Sequence, residues 1–156
     1  MPRITNIEII QQVEQNTISM RKKVKLEELP VHIGSCFAKM GAYLQELGEL
    51  LTDIPVAIFY SYRQMTEEEI DLELALPLSK KVEGKGDIKA GVIPASKLVF
   101  SLYQGNQDGM ISIYKEIEEW IAAKGLEPIG SCYEYYYNGE EYGEDKLLTK
   151  VVIPVK

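Results

Sequence analysis

Two stretches of the chain carry a helical hydrophobic pattern. From about Glu27 to Leu47 the apolar positions Leu29, Ile33, Phe37, Met40, Leu44 and Leu47 fall three or four apart and make one stripe. Pro30 fits only a first turn, so this helix is expected to start at Glu28 or Leu29, and Gly48 is its natural stop. A second stripe runs from about Gly109 to Lys124 through Met110, Ile113, Ile117, Trp120 and Ile121. Asp108 or Asn106 can cap its start, and Gly125 ends it. The remaining patterned segments predict strands at Ile7–Val13, Thr17–Val24, Val56–Arg63, Ile70–Leu78, Lys97–Gln104, Ser131–Asn138 and Leu147–Val155.

The order repeats. Helix one is followed by Asp53-Ile54-Pro55-Val56 and Tyr60-Ser61-Tyr62, and helix two by Leu126-Glu127-Pro128-Ile129 and Tyr133-Glu134-Tyr135. Setting Pro55 on Pro128 places Tyr60 on Tyr133 and Ser61 on Glu134; the copies close on Leu76-Pro77-Leu78 and Ile153-Pro154-Val155. The expectation is one α+β domain over residues 1–156, with repeats at approximately 6–80 and 92–156. Each repeat is a strand, a helix and a hairpin; together they form an antiparallel sheet with two main helices and a central cleft.

Composition narrows the function. Of 156 residues, 46% are hydrophobic and 26% charged, as in a globular protein, and the apolar run Val56–Tyr60 is far too short to span a bilayer. The start Met-Pro-Arg-Ile-Thr lacks a secretory pattern, and Cys36 and Cys132 make no CxxC, so a cytoplasmic location is expected. A net charge of −7 argues against direct nucleic-acid binding, and the one basic run, Arg21-Lys22-Lys23, reads as a solvated strand face. The acidic runs Glu67–Glu69 and Glu140–Asp145 read as solvated loops. His32 is the only histidine; with two scattered cysteines it makes neither a zinc site nor a Ser-His-Asp triad. No metal or cofactor is expected.

The candidate chemistry lies in Cys132-Tyr133-Glu134-Tyr135-Tyr136-Tyr137. On a strand Glu134 shares one face with Cys132 and Tyr136, and Tyr133, Tyr135 and Tyr137 share the other. A carboxylate on an aromatic, half-buried surface must find a donor in the protein, in water or in a ligand. Tyrosine hydroxyls could satisfy it, a cationic ligand could pair with it, or a raised pKa could make it a general acid or base. Trp120, Phe37 and Met40 read as core or as pocket wall, whereas Tyr60 and Tyr62 read as structural.

Taken in order, Ile93-Pro94-Ala95, Tyr103-Gln104-Gly105, Trp120, Gly125-Leu126, Pro128-Ile129-Gly130, Tyr133-Glu134-Tyr135-Tyr136, Thr149 and Ile153-Pro154-Val155 resemble the GyrI-like small-molecule-binding family. That family is related to the effector-binding domains of bacterial MerR-type and AraC-type transcription regulators. The resemblance implies an aromatic cleft with an acidic residue at its floor, suited to bulky, hydrophobic, often cationic compounds in multidrug or toxin response. Glu134 stands at the acidic position, and Tyr136, Trp120, Tyr103, Phe37 and Met40 are the other ligand-binding candidates. The resemblance also implies two alternatives, hydrolysis of cyclopropane-bearing genotoxins or a protein partner such as DNA gyrase; in a hydrolase Glu134 would be catalytic, and Tyr103 or Tyr136 could assist as a hydrogen-bond donor. The chain departs from the family at Tyr103-Gln104, where a His is usual, and at Gly139-Glu140-Glu141-Tyr142-Gly143, where an Asp-Pro turn is usual. No helix-turn-helix precedes the domain, so a stand-alone binding domain is expected.

Overall fold

A computed structural model describes residues 3–156, the Glu140 side chain excepted; Met1 and Pro2 of the N-terminal reading lie outside the described residues. In chain order the elements are β1 (Glu8–Gln12), β2 (Gln15–Val24), α1 (Leu29–Leu47), β3 (Val56–Tyr60), β4 (Ile70–Leu78), β5 (Lys89–Ile93), β6 (Ser96–Gln104), α2 (Met110–Ala123), β7 (Cys132–Tyr136) and β8 (Leu148–Val155). All the strand pairs given below are antiparallel, and the fold is α+β.

The chain forms two compact units. One comprises Val13–Ala95, the other Ser96–Lys156 with the segment ending at Gln12. Among the described residues, the first unit orders its strands β3-β4-β2-β5, and α1 packs on β4 and β2. The second unit orders its strands β1-β6-β8-β7, and α2 packs on β6 and β8. The units divide the chain at other points than the sequence repeats because β1 pairs with β6 (Glu8 opposite Phe100) and β5 with β2 (Lys89 opposite Ser19).

Both helices follow from capping chemistry and one apolar face. The Lys25 N–H donates to the Glu28 carboxylate at 2.9 Å, and Pro30 occupies the first turn of α1, where no helical hydrogen bond needs its missing N–H. Before α2 the Asn106 side chain accepts from the Gly109 N–H at 3.1 Å. Each helix ends on a left-handed glycine, Gly48 at φ 71° and Gly125 at φ 70°. Cys36, Met40 and Leu44 are buried under α1, and Met110, Ile113, Ile117 and Ile121 under α2. Leu47, expected in the α1 stripe, is instead exposed in the last turn.

The register revises the repeat. Leu51 bridges Leu78 and Pro128 bridges Val155; the Thr52 N–H bonds Pro77 O and the Ile129 N–H bonds Pro154 O. Gly48 and Gly125 also end their helices with matching bonds. Leu51, not Pro55, therefore stands where Pro128 stands. In the sheets Ala57 pairs with Leu74, and Glu134 pairs with Val151 at the corresponding step. The counterpart of Glu134 is thus Ala57, not Ser61. Ser61 lies beyond the strand at φ 48°, and this left-handed residue ends β3 at Tyr60, three residues earlier than expected.

One strand left no pattern in the sequence. Along β5 only Ile93 is buried, because the strand pairs with β2 alone and contains Gly91. The basic run lies on β2 as expected of a strand face, with Arg21 bonded to Asp71 and Lys23 3.4 Å from Glu69.

The two kinds of glycine separate experimentally. Gly48→Ala and Gly125→Ala are each expected to lose about 1 kcal/mol in urea unfolding, since alanine must adopt positive φ. Gly34→Ala, at an exposed helical position where an added Cβ meets nothing within 4 Å, is expected to gain roughly 0.5–1 kcal/mol.

Candidate functional site

Glu134 lies in the middle of β7, on the sheet face covered by α2. Its neighbours across the ladder are Val151 and then Ser101, both fully buried. Glu134 is 7% exposed. Two phenols hold it: Tyr114 of α2 donates to Oε2, and Tyr136, two residues along the strand, donates to Oε1 at 2.8 Å. The tyrosine reading of Glu134 is therefore realised in the described structure.

The chain of donors extends by one group. The Tyr114 hydroxyl has a single proton, which goes to Glu134. Cys132 Sγ, 3.4 Å away, then donates its own proton to the Tyr114 oxygen. The order is thiol to phenol to carboxylate, with the second phenol on the other oxygen. Cys132, Glu134 and Tyr136 occupy one strand face because their spacing is two.

Burial dominates the electrostatics. It raises the Glu134 pKa above the ordinary 4.5, and the two phenol hydrogen bonds oppose that rise. No lysine or arginine among the described residues contributes to the shift. Tyr114, Tyr136 and Cys132 are all pushed up, first by burial and then by the Glu134 charge. Neither phenol nor thiol is thereby activated as an anion. Among the described residues the site is one carboxylate with neutral donors and no counter-cation.

The sister repeat shows what the fold requires here. With Ala57 on Glu134, the register places Phe59 on Tyr136 and Pro55 on Cys132; the matching helix ends place Phe37 on Tyr114. The same layer is therefore built once from Phe37, Pro55, Ala57 and Phe59, without a polar side-chain atom, and once from Tyr114, Cys132, Glu134 and Tyr136. Two hydroxyls, a thiol and a carboxylate have been placed on a scaffold that packs without them.

The other candidates fall elsewhere. Tyr103 lies in the row Tyr136, Thr149, Tyr103, but its hydroxyl donates to Asn106 O at 2.7 Å and braces the turn before α2. Trp120 is half-buried on α2, with the Lys124 ammonium 5.4 Å from its ring centroid. Phe37 and Met40 are on α1, in the other unit, and are not members of the Glu134 cluster. Tyr60 donates to Glu73. Tyr114 was not anticipated. Its signal was present, four residues after Met110 and three before Ile117, but a tyrosine in a stripe of isoleucines reads as more core.

His32 and Cys36 approach to 3.6 Å one turn apart on α1. Burial pushes the imidazole pKa down and the thiol pKa up, so both are neutral. Among the described residues no group of three or more His, Cys, Asp and Glu is placed to hold a metal ion. None of the described helices is long and apolar enough to cross a membrane.

A family model described as the GyrI-like small molecule binding domain matches residues 5–156. A comparison with curated proteins finds no match. Among solved structures, EcmrR in a DNA complex shares 20% identity over 97% of this chain and 57% of that chain, with a TM-score of 0.81. This chain thus spans little more than half of it. A hydrolase from Listeria innocua shares 15% identity, over 96% of this chain and 91% of that one, with a TM-score of 0.73. A protein bound to tetraphenylphosphonium shares 12%, over 97% and 98%, with a TM-score of 0.66. At these identities the likeness is one of fold.

Two measurements test this description of the cluster. Tyr114→Phe removes a donor from a buried carboxylate and is expected to destabilise the protein by roughly 1.5–3 kcal/mol. The triple change Tyr114→Phe, Glu134→Ala, Tyr136→Phe copies the sister repeat and is expected to cost less than that single change; a larger loss would show that the polar cluster is structural. The sign with pH follows from the raised folded-state pKa of Glu134. Its stabilising contribution is full below the ordinary 4.5 and declines as pH rises through the raised value. Glu134→Gln is expected to flatten that decline in urea titrations across pH.

Proposed function

The chain belongs to the GyrI-like small-molecule binding family, and on that premise we propose that it binds bulky, hydrophobic cations with Glu134 as the charged anchor. One observation carries the reading: a buried carboxylate held, among the described residues, by neutral donors alone, at a position that is alanine in the sister repeat. A carboxylate without a counter-cation retains its attraction for one, and its desolvated surroundings strengthen that attraction. Tyr136 supplies an aromatic face that favours cations over neutral analogues. The tetraphenylphosphonium-bound structure of similar fold is consistent with a delocalised, apolar cation as the ligand class. The role that follows is drug or toxin sensing or sequestration in the cytoplasm.

The phenols set the order of events. They occupy the carboxylate in the described state, so a cation must displace or share at least one of them. Tyr114 is the one carried by the helix, and its bond ties α2 to β7. Ligand entry is therefore coupled to the position of α2.

A second reading, hydrolysis of an electrophilic cyclopropane, rests on the raised Glu134 pKa. As a base the carboxylate would take a proton from water while the oxygen bonds to a ring carbon and the strained C–C bond breaks. The released electron pair is then protonated on the substrate. The Listeria innocua hydrolase shares this fold.

Fluorescence titration with a cationic rhodamine dye, competed by tetraphenylphosphonium, tests the first reading. Glu134→Gln is expected to weaken both by about tenfold or more while leaving a neutral dye of similar size unaffected. Equal affinities in wild type and variant would remove Glu134 as the anchor. Mass spectrometry after incubation with a cyclopropane-bearing electrophile tests the second. Water-addition product that depends on Glu134 supports hydrolysis, and its absence with wild type rules that substrate class out.

A further inference from the structure

The face of the second unit turned away from α2 carries a lysine where the first unit carries an acid. Lys150 of β8 lies directly opposite Leu102 of β6 and Tyr135 of β7. Its ammonium sits 4.4 Å from the Tyr135 ring centroid and 5.6 Å from that of Phe100. Lys150 and Phe100 are both half-buried, so this part of the face is open to solvent at its margin. No ion pair of Lys150 occurs among the described residues. Glu134, on the next residue from Tyr135, points to the opposite face and is held by its phenols. Glu8 lies on the same face opposite Phe100, but is exposed and makes no ion pair with Lys150.

The sister repeat again supplies the control. Register places Glu73 of β4 where Lys150 stands, since Pro77 and Pro154 occupy the same step of the two ladders. Glu73 brings its partners with it: it lies opposite Arg21, accepts from Ser19 Oγ at 2.6 Å and accepts from Tyr60. Arg21 in turn is bonded to Asp71 and stacks 3.7 Å from the Tyr60 ring centroid. In the first unit, therefore, the charge on this face is balanced within the fold. In the second, the cross-strand neighbours are Leu102 and Tyr135, and the ammonium has two aromatic rings in place of an anion. Ring faces replace only part of the water that a lysine gives up, and its three N–H donors still favour an oxygen acceptor.

We propose that Lys150, with Phe100, Tyr135 and Leu102 around it, forms a second binding subsite, selective for apolar anions such as aromatic carboxylates or sulfonates. The ammonium takes the acid group, and the half-buried Phe100 and Leu102 take the hydrocarbon, while the fully buried Tyr135 ring packs against the ammonium. The subsite is independent of Glu134, lies on the other side of β7 and β8, and selects the opposite charge. A lysine that merely lays its stem on two rings and keeps its head in water would bind no such ligand.

The test uses two dyes on one ring system, the anionic 8-anilinonaphthalene-1-sulfonate and the neutral N-phenyl-1-naphthylamine, titrated by fluorescence into the whole chain. Lys150→Met is expected to weaken the sulfonate by about tenfold and leave the neutral dye unchanged. Lys150→Arg is expected to keep most of the sulfonate affinity. Added salt should weaken the sulfonate and spare the neutral dye. Sulfonate affinity that is unchanged in Lys150→Met, or that falls in parallel with the neutral dye, overturns the proposal. Lys150→Gln serves the same comparison if the Met variant does not fold. Failure here leaves the Glu134 reading standing, because that reading is measured with cations.

Discussion

Glu134 constrains the second unit more than any other group, because a carboxylate beneath a helix cannot be left without donors. Stripping water from it costs several kcal/mol unless hydrogen bonds replace the lost solvation. Its two phenols answer that need from different elements, Tyr136 from the same strand and Tyr114 from α2. Helix and strand are thereby joined by a polar contact within the buried layer. Burial also raises the pKa of every titratable member of the cluster, which keeps the phenols and the thiol neutral.

The internal repeat turns this from description into comparison. The first unit builds the same layer from Phe37, Ala57 and Phe59, so secondary structure, helix caps and sheet register do not depend on the polar groups. Natural scaffolds carry such local departures from apolar packing mostly at functional sites. The second face offers the same contrast with the sign reversed. There the first unit closes a network of Glu73, Ser19, Tyr60, Arg21 and Asp71, and the second leaves Lys150 among aromatic side chains. Each unit thus serves as the reference state for the other.

Family membership and fold agree over nearly the whole chain. Structures of similar fold include a DNA-bound regulator, a hydrolase and a protein bound to a lipophilic cation. One scaffold hosting such different proteins is what is expected when function resides in a few side chains rather than in the sheet.

Helix periodicity, glycine stops, the strand order of each hairpin and the alternation around Glu134 were all legible in the amino-acid sequence, because they depend on local geometry and burial pattern. The duplication was legible too, but its register was not. Pro55 and Pro128 look equivalent along the chain, yet only the hydrogen-bonded ladders showed that Leu51 is the true counterpart and that Glu134 replaces Ala57. Local motifs cannot settle register, since a shift of pairing changes no local preference while exchanging every partner. Strand β5 was invisible because an edge strand exposed on both sides has no alternation to read. Tyr114 was hidden for the opposite reason: its spacing marked it as inward, and nothing local said what it would meet. Sequence by itself determined that a carboxylate stood among tyrosines on a strand. Tertiary structure decided which hydroxyls reach it, because one comes from a helix twenty residues away.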